Sequence, residues 1–196
     1  MNILVTGGAG FIGSNLVMAL SSLGHQVTSI DDMSSARNDS ADFMRAHSGV
    51  QFIHGCFASD GIIEKVRSGH FDFVFHVAAI PRVSYSVENP FRTTDVNVNR
   101  TVRLIEACVG HVSRFIFSSS SSVYGGADLL PTPVHCAKDP KSPYAWQKSC
   151  IEDFIVLMCQ LHPDFNAVCL RYFNVFGQRQ DPDGAYAAVI PKWTAA

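Results

Sequence analysis

Short apolar runs rich in β-branched and aromatic residues punctuate this chain, and between them lie longer stretches whose apolar positions recur three and four apart. The runs Ile3–Thr6, Gln26–Ile30, Gln51–His54, Phe71–His76, Phe115–Ser118 and Ala167–Arg171 read as strands. The stretches Phe11–Leu23, Asp60–Ser68, Pro90–Val109 and Pro143–Leu161 read as helices. Asn89-Pro90 and Ser142-Pro143 each place a capping side chain before a proline at the first helical position. Strands alternating with helices in this way predict an α/β fold, a parallel sheet with helices on both faces. The least regular segments are Met33–Asp42, Gly125–Lys141 and everything after Arg171, where a further helix is expected from near Ala185. In the last long helix, Ile151, Phe154, Ile155 and Met158 form a stripe that faces either the core or a partner.

Composition changes this picture little. The 196 residues are 47% hydrophobic, enough for one domain with a sizeable core. Charged residues make up 16% and the net charge is −2, so no basic patch points to nucleic acid. The apolar runs are short and interrupted, which predicts no membrane span, and MNILVTGG reads as a buried strand rather than a signal peptide. The six cysteines, Cys56, Cys108, Cys136, Cys150, Cys159 and Cys169, form no CxxC pair and read as free thiols of a reducing, cytoplasmic compartment. The eight histidines are dispersed, with no metal-binding spacing, so no metal is expected.

The first chemistry-bearing motif is TGGAGFIG, Thr6–Gly13, directly after the first strand and opening the first helix. Glycines at 7, 10 and 13 let the backbone turn tightly and approach a pyrophosphate, which the positive helix N-terminus then faces. An acid, Asp31, ends the second strand about 20 residues further on, the spacing of a dinucleotide fingerprint. A carboxylate there accepts from ribose hydroxyls and repels a 2′-phosphate, which favours NAD over NADP. Asp32 adds to that repulsion. The expected architecture is therefore a Rossmann-type doubly wound sheet.

The second is SPYAWQKS, residues 142–149, with Tyr144 and Lys148 one helical turn apart on one face. Tyrosine, with a pKa of about 10, is a poor base near neutrality unless a nearby cation stabilises its phenolate. A lysine ammonium one turn away is such a cation, and Ser120, at the end of a strand, could hydrogen-bond the same substrate oxygen. Alone, this YxxxK is as easily a capped helix start, the serine run a polar loop, and Asn97 a satisfied helix polar group.

Taken together, TGGAGFIG, HVAA at 76–79, NVNRT at 97–101, SSSSSVYG at 118–125, YAWQK at 144–148 and RYFNVFG at 171–177 resemble the extended short-chain dehydrogenase/reductases. Within that family the chain is most similar to the NAD-dependent nucleotide-sugar epimerases. The tail FGQRQDPDGAYAAVIPKW is similar to that of bacterial UDP-N-acetylhexosamine 4-epimerases of surface-polysaccharide pathways. The resemblance implies Ser120, Tyr144 and Lys148 as the catalytic group, with Asn97 supporting them. It places Gly7, Gly10, Phe11, Ile12 and Gly13 at the pyrophosphate, and Asp31 and Asp32 at the adenosine ribose. Cys56, Phe57, Val77, Ala78 and Ala79 would line the cofactor, Phe173 the nicotinamide pocket, and Ser120 and Asn174 the sugar. It also implies a UDP-sugar substrate, inverted at C4 by transient oxidation, and a homodimer through the helices near Pro90–Val109 and Pro143–Leu161. Related 4,6-dehydratases carry an Asp-Glu pair where this chain has Ser121-Ser122, and related decarboxylases a glutamate there. Their absence leaves epimerases and simple reductases as the enzymatic readings, and a non-catalytic NAD-binding relative as a third.

Four departures stand out. Cys56 occupies the place of an aspartate that holds the adenine, which implies a lost or weakened hydrogen bond. Arg100 replaces a helix glycine, and Gln178 replaces a proline. Family members also continue well past this length, so residues 1–177 are expected to form the NAD-binding domain. Residues 178–196 would then be the start of a substrate lobe that is largely absent.

Overall fold

The structure, a computed structural model, describes residues 1–36, 38–126, 129–181 and 193. Six parallel strands form one sheet in the order β3-β2-β1-β4-β5-β6. They are β1 (Asn2–Thr6), β2 (Gln26–Asp31), β3 (Val50–His54), β4 (Phe73–His76), β5 (Arg114–Ser120) and β6 (Ala167–Tyr172). Every strand expected from the apolar runs is present. The order reverses between β1 and its neighbours β2 and β4, which opens the crevice at the carboxyl edge where such sheets bind ligands.

Period-two alternation sends the strand side chains to two cores. Ile3, Val5 and Val27 pack with Val17 of α1 (Phe11–Ser22) and Met44 of α2 (Asn38–Arg45). Leu4, Val74, Phe115 and Phe117 pack on the other face with α3 (Asp60–Arg67), α6 (Arg100–Cys108) and α7 (Pro143–Leu161). Ile151 and Ile155 are buried and Phe154 and Met158 pack partly against them, so that stripe faces the core. On the α1 side the sheet beyond β4 has no helix over it among the described residues, and Val168 and Leu170 of β6 are 37% and 39% exposed. No helix among the described residues is long and apolar enough to cross a membrane.

Three local expectations are corrected. Two short helices were not legible: α2, which begins in the irregular Met33–Asp42 stretch and runs to Arg45, and α4 (Val83–Glu88). Both bury narrow faces, Ala41 and Met44 in the polar α2 and Ser86 in α4. Asn89 makes no side-chain cap; its carbonyl accepts from both the N–H and the hydroxyl of Thr93. And Pro90–Cys108 is not one regular helix: α5 (Pro90–Thr94) passes through a π turn at Asp95–Asn99 before α6. Ser142 does cap α7, accepting from the Ala145 N–H at 3.1 Å. The helix expected near Ala185, and most of 178–196, lie outside the described residues.

The carboxyl end of β5 is tied down by charge. Glu152, on α7, accepts two bonds from Arg171 of β6 at 2.7 and 2.9 Å and one from the Ser119 hydroxyl at 2.6 Å. Burial alone would push the Glu152 carboxyl up; the bonds from Arg171 and Ser119 reverse this and hold it below its usual value. Arg171 also lies over the Tyr124 ring, 4.7 Å from its centroid. Glu152→Ala leaves a half-buried guanidinium without its partner, so it should lower the unfolding free energy by about 3 kcal/mol. Urea denaturation measures this, and a loss under roughly 1 kcal/mol, the range of a surface pair, would show that the pair does not tie α7 to the sheet.

Candidate active site

Because all strands run parallel, their carboxyl ends gather the motifs along one edge. At the centre, the glycine loop leaves β1 and turns sharply into α1. Gly7 has φ +69°, and a Cβ there would lie 2.6 Å from the Ala78 nitrogen. A Cβ on Gly13 would lie 2.1 Å from the Gly7 oxygen. The loop is thus folded tightly against the strand β4 exit, and Gly10, Phe11 and Ile12 present backbone at the start of α1. This cradle fits a dinucleotide pyrophosphate, which needs close backbone approach and a helix N-terminus.

Asp31 leans into this cradle. Its carboxylate accepts from the Ala9 N–H at 3.0 Å and the Met33 N–H at 2.8 Å. Burial pushes its pKa up, the two N–H bonds pull it back, and neighbouring Asp32 adds to the rise. Asp32 is exposed and accepts from the Ser34 N–H. Cys56 and Phe57 follow β3 one strand further out, Cys56 partly exposed and Phe57 buried.

Val77, Ala78 and Ala79 leave β4 beside the cradle, held by a buried relay. The Ala78 N–H donates to the Thr6 hydroxyl, which pairs with His76 Nδ1 at 2.7 Å, while His76 Nε2 meets the Thr101 hydroxyl at 2.9 Å. In the neutral ring one nitrogen donates and the other accepts, so one of the two hydroxyls gives its proton to the imidazole and the other receives one. Burial first, and the charge of Lys148 second, push His76 down to about 3, so it stays neutral.

Asn97 sits in the π turn and is buried. Its side chain bonds to Ile80 and Gln147 rather than to Lys148; it clamps Ile80, accepting from its N–H at 2.8 Å and donating to its carbonyl at 3.1 Å. Its remaining N–H donates to Gln147 at 2.8 Å, and Gln147 donates in turn to the hydroxyls of Thr93 and Thr94. Gln147 is fully buried and was not singled out in the sequence. A glutamine immediately before Lys148, with two threonines just before NVNRT, was the available signal.

The Tyr144–Lys148 face of α7 packs against β5. The Lys148 ammonium is buried, donates to the Ser118 carbonyl at 2.7 Å, and lies 4.6 Å from the Phe117 ring centroid and 5.9 Å from that of Tyr144. Burial pushes it down to about 7, partly opposed by the charge of Glu152. The Tyr144 N–H donates to the buried Ser86 hydroxyl, a contact made by the unforeseen α4. Ser120, at the end of β5, accepts from both the N–H and the hydroxyl of Ser122. With both lone pairs engaged, the proton is what Ser120 has to offer. Ser122 too was missed.

Phe173 and Asn174 follow β6 and are exposed, Phe173 tilted toward Tyr124 with centroids 6.4 Å apart. The chain then returns over α1, where Arg179 Nη2 donates to Asn15 at 2.8 Å and Asn15 donates to the Gln178 carbonyl.

A strand-bound glycine cradle, an acid closing β2 and a Tyr-Lys pair on one sheet edge agree with the comparisons. Residues 3–196 match the profile of the NAD dependent epimerase/dehydratase family. The chain belongs to this family. It is 33% identical over 205 residues to a UDP-glucose 4-epimerase of Yersinia enterocolitica, covering 97% of this chain and 60% of that protein. Among solved structures it resembles a UDP-N-acetylglucosamine 4-epimerase of Methanobrevibacter ruminantium in complex with UDP-N-acetylmuramic acid. That match has 38% identity and a TM-score of 0.90, covering 100% of this chain and 62% of that one. It also resembles a UDP-glucose 4-epimerase of Thermus thermophilus in complex with NAD, at 32% identity and TM-score 0.83, covering 95% and 60%. The chain thus spans about 60% of the length of these relatives.

The buried ammonium gives a pH test. Since Lys148 is pushed down to about 7 in the folded protein, the unfolded chain holds one more proton between there and the free lysine value. Stability relative to a variant lacking the group therefore rises with pH across that window. The wild-type minus Lys148→Met difference in unfolding free energy should move in favour of wild type as pH climbs from about 7 to about 10. Denaturant titrations at several pH values read it; a flat difference would show that the ammonium is not desolvated.

Proposed function

We propose that this chain carries the cofactor site and the catalytic face of an NAD-dependent UDP-sugar 4-epimerase, residues 1–177 forming the dinucleotide domain. The observation that carries this reading is the Tyr144–Lys148 face of α7 pinned on β5 beside Ser120, on the same sheet edge as the glycine cradle. Family membership and the printed activities of the relatives support it. Gly10, Phe11 and Ile12 hold the pyrophosphate, Asp31 the adenosine ribose, and Val77 to Ala79 with Phe173 the nicotinamide side. Bound NAD supplies the hydride acceptor and, on return, the hydride donor.

The chain's own work is proton handling and placement. The Lys148 ammonium stabilises Tyr144 as a phenolate, which takes the proton of the sugar O4 hydroxyl and becomes the neutral phenol as hydride leaves C4 for the cofactor. Ser120, with its oxygen saturated by Ser122, donates to O4 and holds it before Tyr144. Asn97 and Gln147 act as positioning residues, fixing α7 against the Ile80 turn. Asn174 is the described residue after β6 that reaches toward the sugar. The setting is the reducing cytoplasm, which suits six free thiols.

We also propose a homodimer through α7 and its neighbours. Trp146, Leu157 and Leu161 are 51%, 47% and 63% exposed along α7, with Val87 and Phe91 on α4 and α5 at 61% and 87%. So much exposed apolar surface on adjacent helices marks an interaction face.

Purified protein incubated with NAD and UDP-glucose or UDP-N-acetylglucosamine should yield the C4 epimer. Tyr144→Phe should lower turnover by at least about 100-fold while leaving NAD affinity within threefold. NAD binding without UDP-sugar binding would favour the non-catalytic reading, and NADH released in step with turnover would favour a reductase. Light scattering should give the mass of two chains, and Leu157→Glu the mass of one; a monomeric wild type would refute the dimer.

A further inference from the structure

Two residues that depart from the family pattern, Cys56 and Arg100, are forty-four positions apart in sequence and touch in space. Arg100 Nη1 donates to Cys56 Sγ at 3.4 Å. The guanidinium is held in place from behind: Nε and Nη2 both bind Asp95 Oδ2, at 2.9 and 2.8 Å, across the π turn. The sulfur also accepts from the Ala58 N–H at 3.4 Å. Cys56 lies at the carboxyl edge next to the proposed ribose acid, since Gly55 donates its N–H to the Asp31 carbonyl at 2.9 Å.

Hydrogen-bond capacity then decides what this corner can read. A guanidinium has five N–H donors and no acceptor. Three are engaged, on Asp95 twice and on Cys56 once, which leaves two donors, and Arg100 is about a third exposed at its side chain (38%). The thiol contributes a weak donor, and its sulfur already receives two N–H groups. Asp95 lies behind the guanidinium, which binds it through Oδ2 alone. At position 56 itself the corner therefore offers donors, whereas an aspartate there would offer an acceptor.

An acceptor at this point suits the exocyclic amine of adenine. Donors suit a purine whose C6 bears an oxygen. Resting on the dinucleotide reading above, we infer that Cys56 and Arg100 form a base-reading pair that removes the preference for a 6-amino purine, so that this chain accepts 6-oxo-purine dinucleotides as readily as NAD. Adenine still binds, because its ring nitrogens are acceptors for the same guanidinium. What disappears is the penalty that a buried acceptor imposes on a ligand lacking the amine.

The probes are NAD and its deaminated analogue, nicotinamide hypoxanthine dinucleotide, titrated calorimetrically into the purified protein. Wild type should bind the two with dissociation constants within threefold of each other. Cys56→Asp, which restores the acceptor, should favour NAD by tenfold or more. Arg100→Met should weaken the hypoxanthine form more than NAD, by at least threefold, with the thermal unfolding midpoint used to confirm folding. A wild type that prefers NAD tenfold or more overturns the inference while leaving the dinucleotide site intact. Binding of neither dinucleotide overturns the cofactor reading itself, so the two failures are distinguishable.

Discussion

Placing an ammonium inside the protein, between α7 and β5, constrains most of what surrounds it. Lys148 is 3% exposed and would be prohibitively costly to bury without partners. The Ser118 carbonyl, the Phe117 ring face and the nearby Glu152 carboxylate supply them. Each partner belongs to a part of the site. Ser118 is two residues before Ser120 on the same strand, and Phe117 is a core residue of the sheet face that α7 covers. Glu152 is one turn along α7 and holds Arg171 and Ser119. Satisfying one charge thus fixes the spacing between the helix that carries Tyr144 and the strand end that carries Ser120.

A second constraint comes from amides rather than charges. Asn97 and Gln147 are both buried, and every donor and acceptor of the pair's facing edges is matched, to Ile80, Thr93, Thr94 and each other. Such networks are costly when incomplete and rigid when complete. The π turn at Asp95–Asn99 is consistent with that demand, since it carries Asn97 from a helix whose regular winding would place the amide elsewhere. The same turn sets Asp95 behind Arg100, so the geometry that positions α7 also positions the Cys56–Arg100 corner.

Much of the fold was legible because its signals are local. All six strands and the long helices follow from apolar period and length, and the glycine cradle follows from sterics at Gly7 and Gly13. Tyr144, Lys148 and Ser120 were legible once the cradle and Asp31 supplied a context. The remainder depends on partners far apart in sequence. Nothing local in YAWQK marks Gln147 as the link to Asn97, fifty positions away. The polar string of α2 conceals a helix because few of its residues are apolar and buried, and α4 because what it buries is a serine while Val83 and Val87 stay exposed. The Asn89 side chain makes no cap, and its backbone, at φ −130° and ψ 58°, departs from the extended conformation that Ser142 adopts when it caps α7.

His76 joins the two halves of the site. It lies between Thr6, where the glycine loop begins, and Thr101, one residue after Arg100. It is neutral at any ordinary pH, packed against Phe57 and between Phe115 and Phe117, so one ring nitrogen donates and the other accepts. A charged group there would repel Lys148, and an apolar one would leave Thr6 free to rotate and the Ala78 N–H without a fixed acceptor. A buried, neutral imidazole avoids both outcomes. It couples the glycine loop, through Thr6, to α6, through Thr101 and so to its neighbour Arg100.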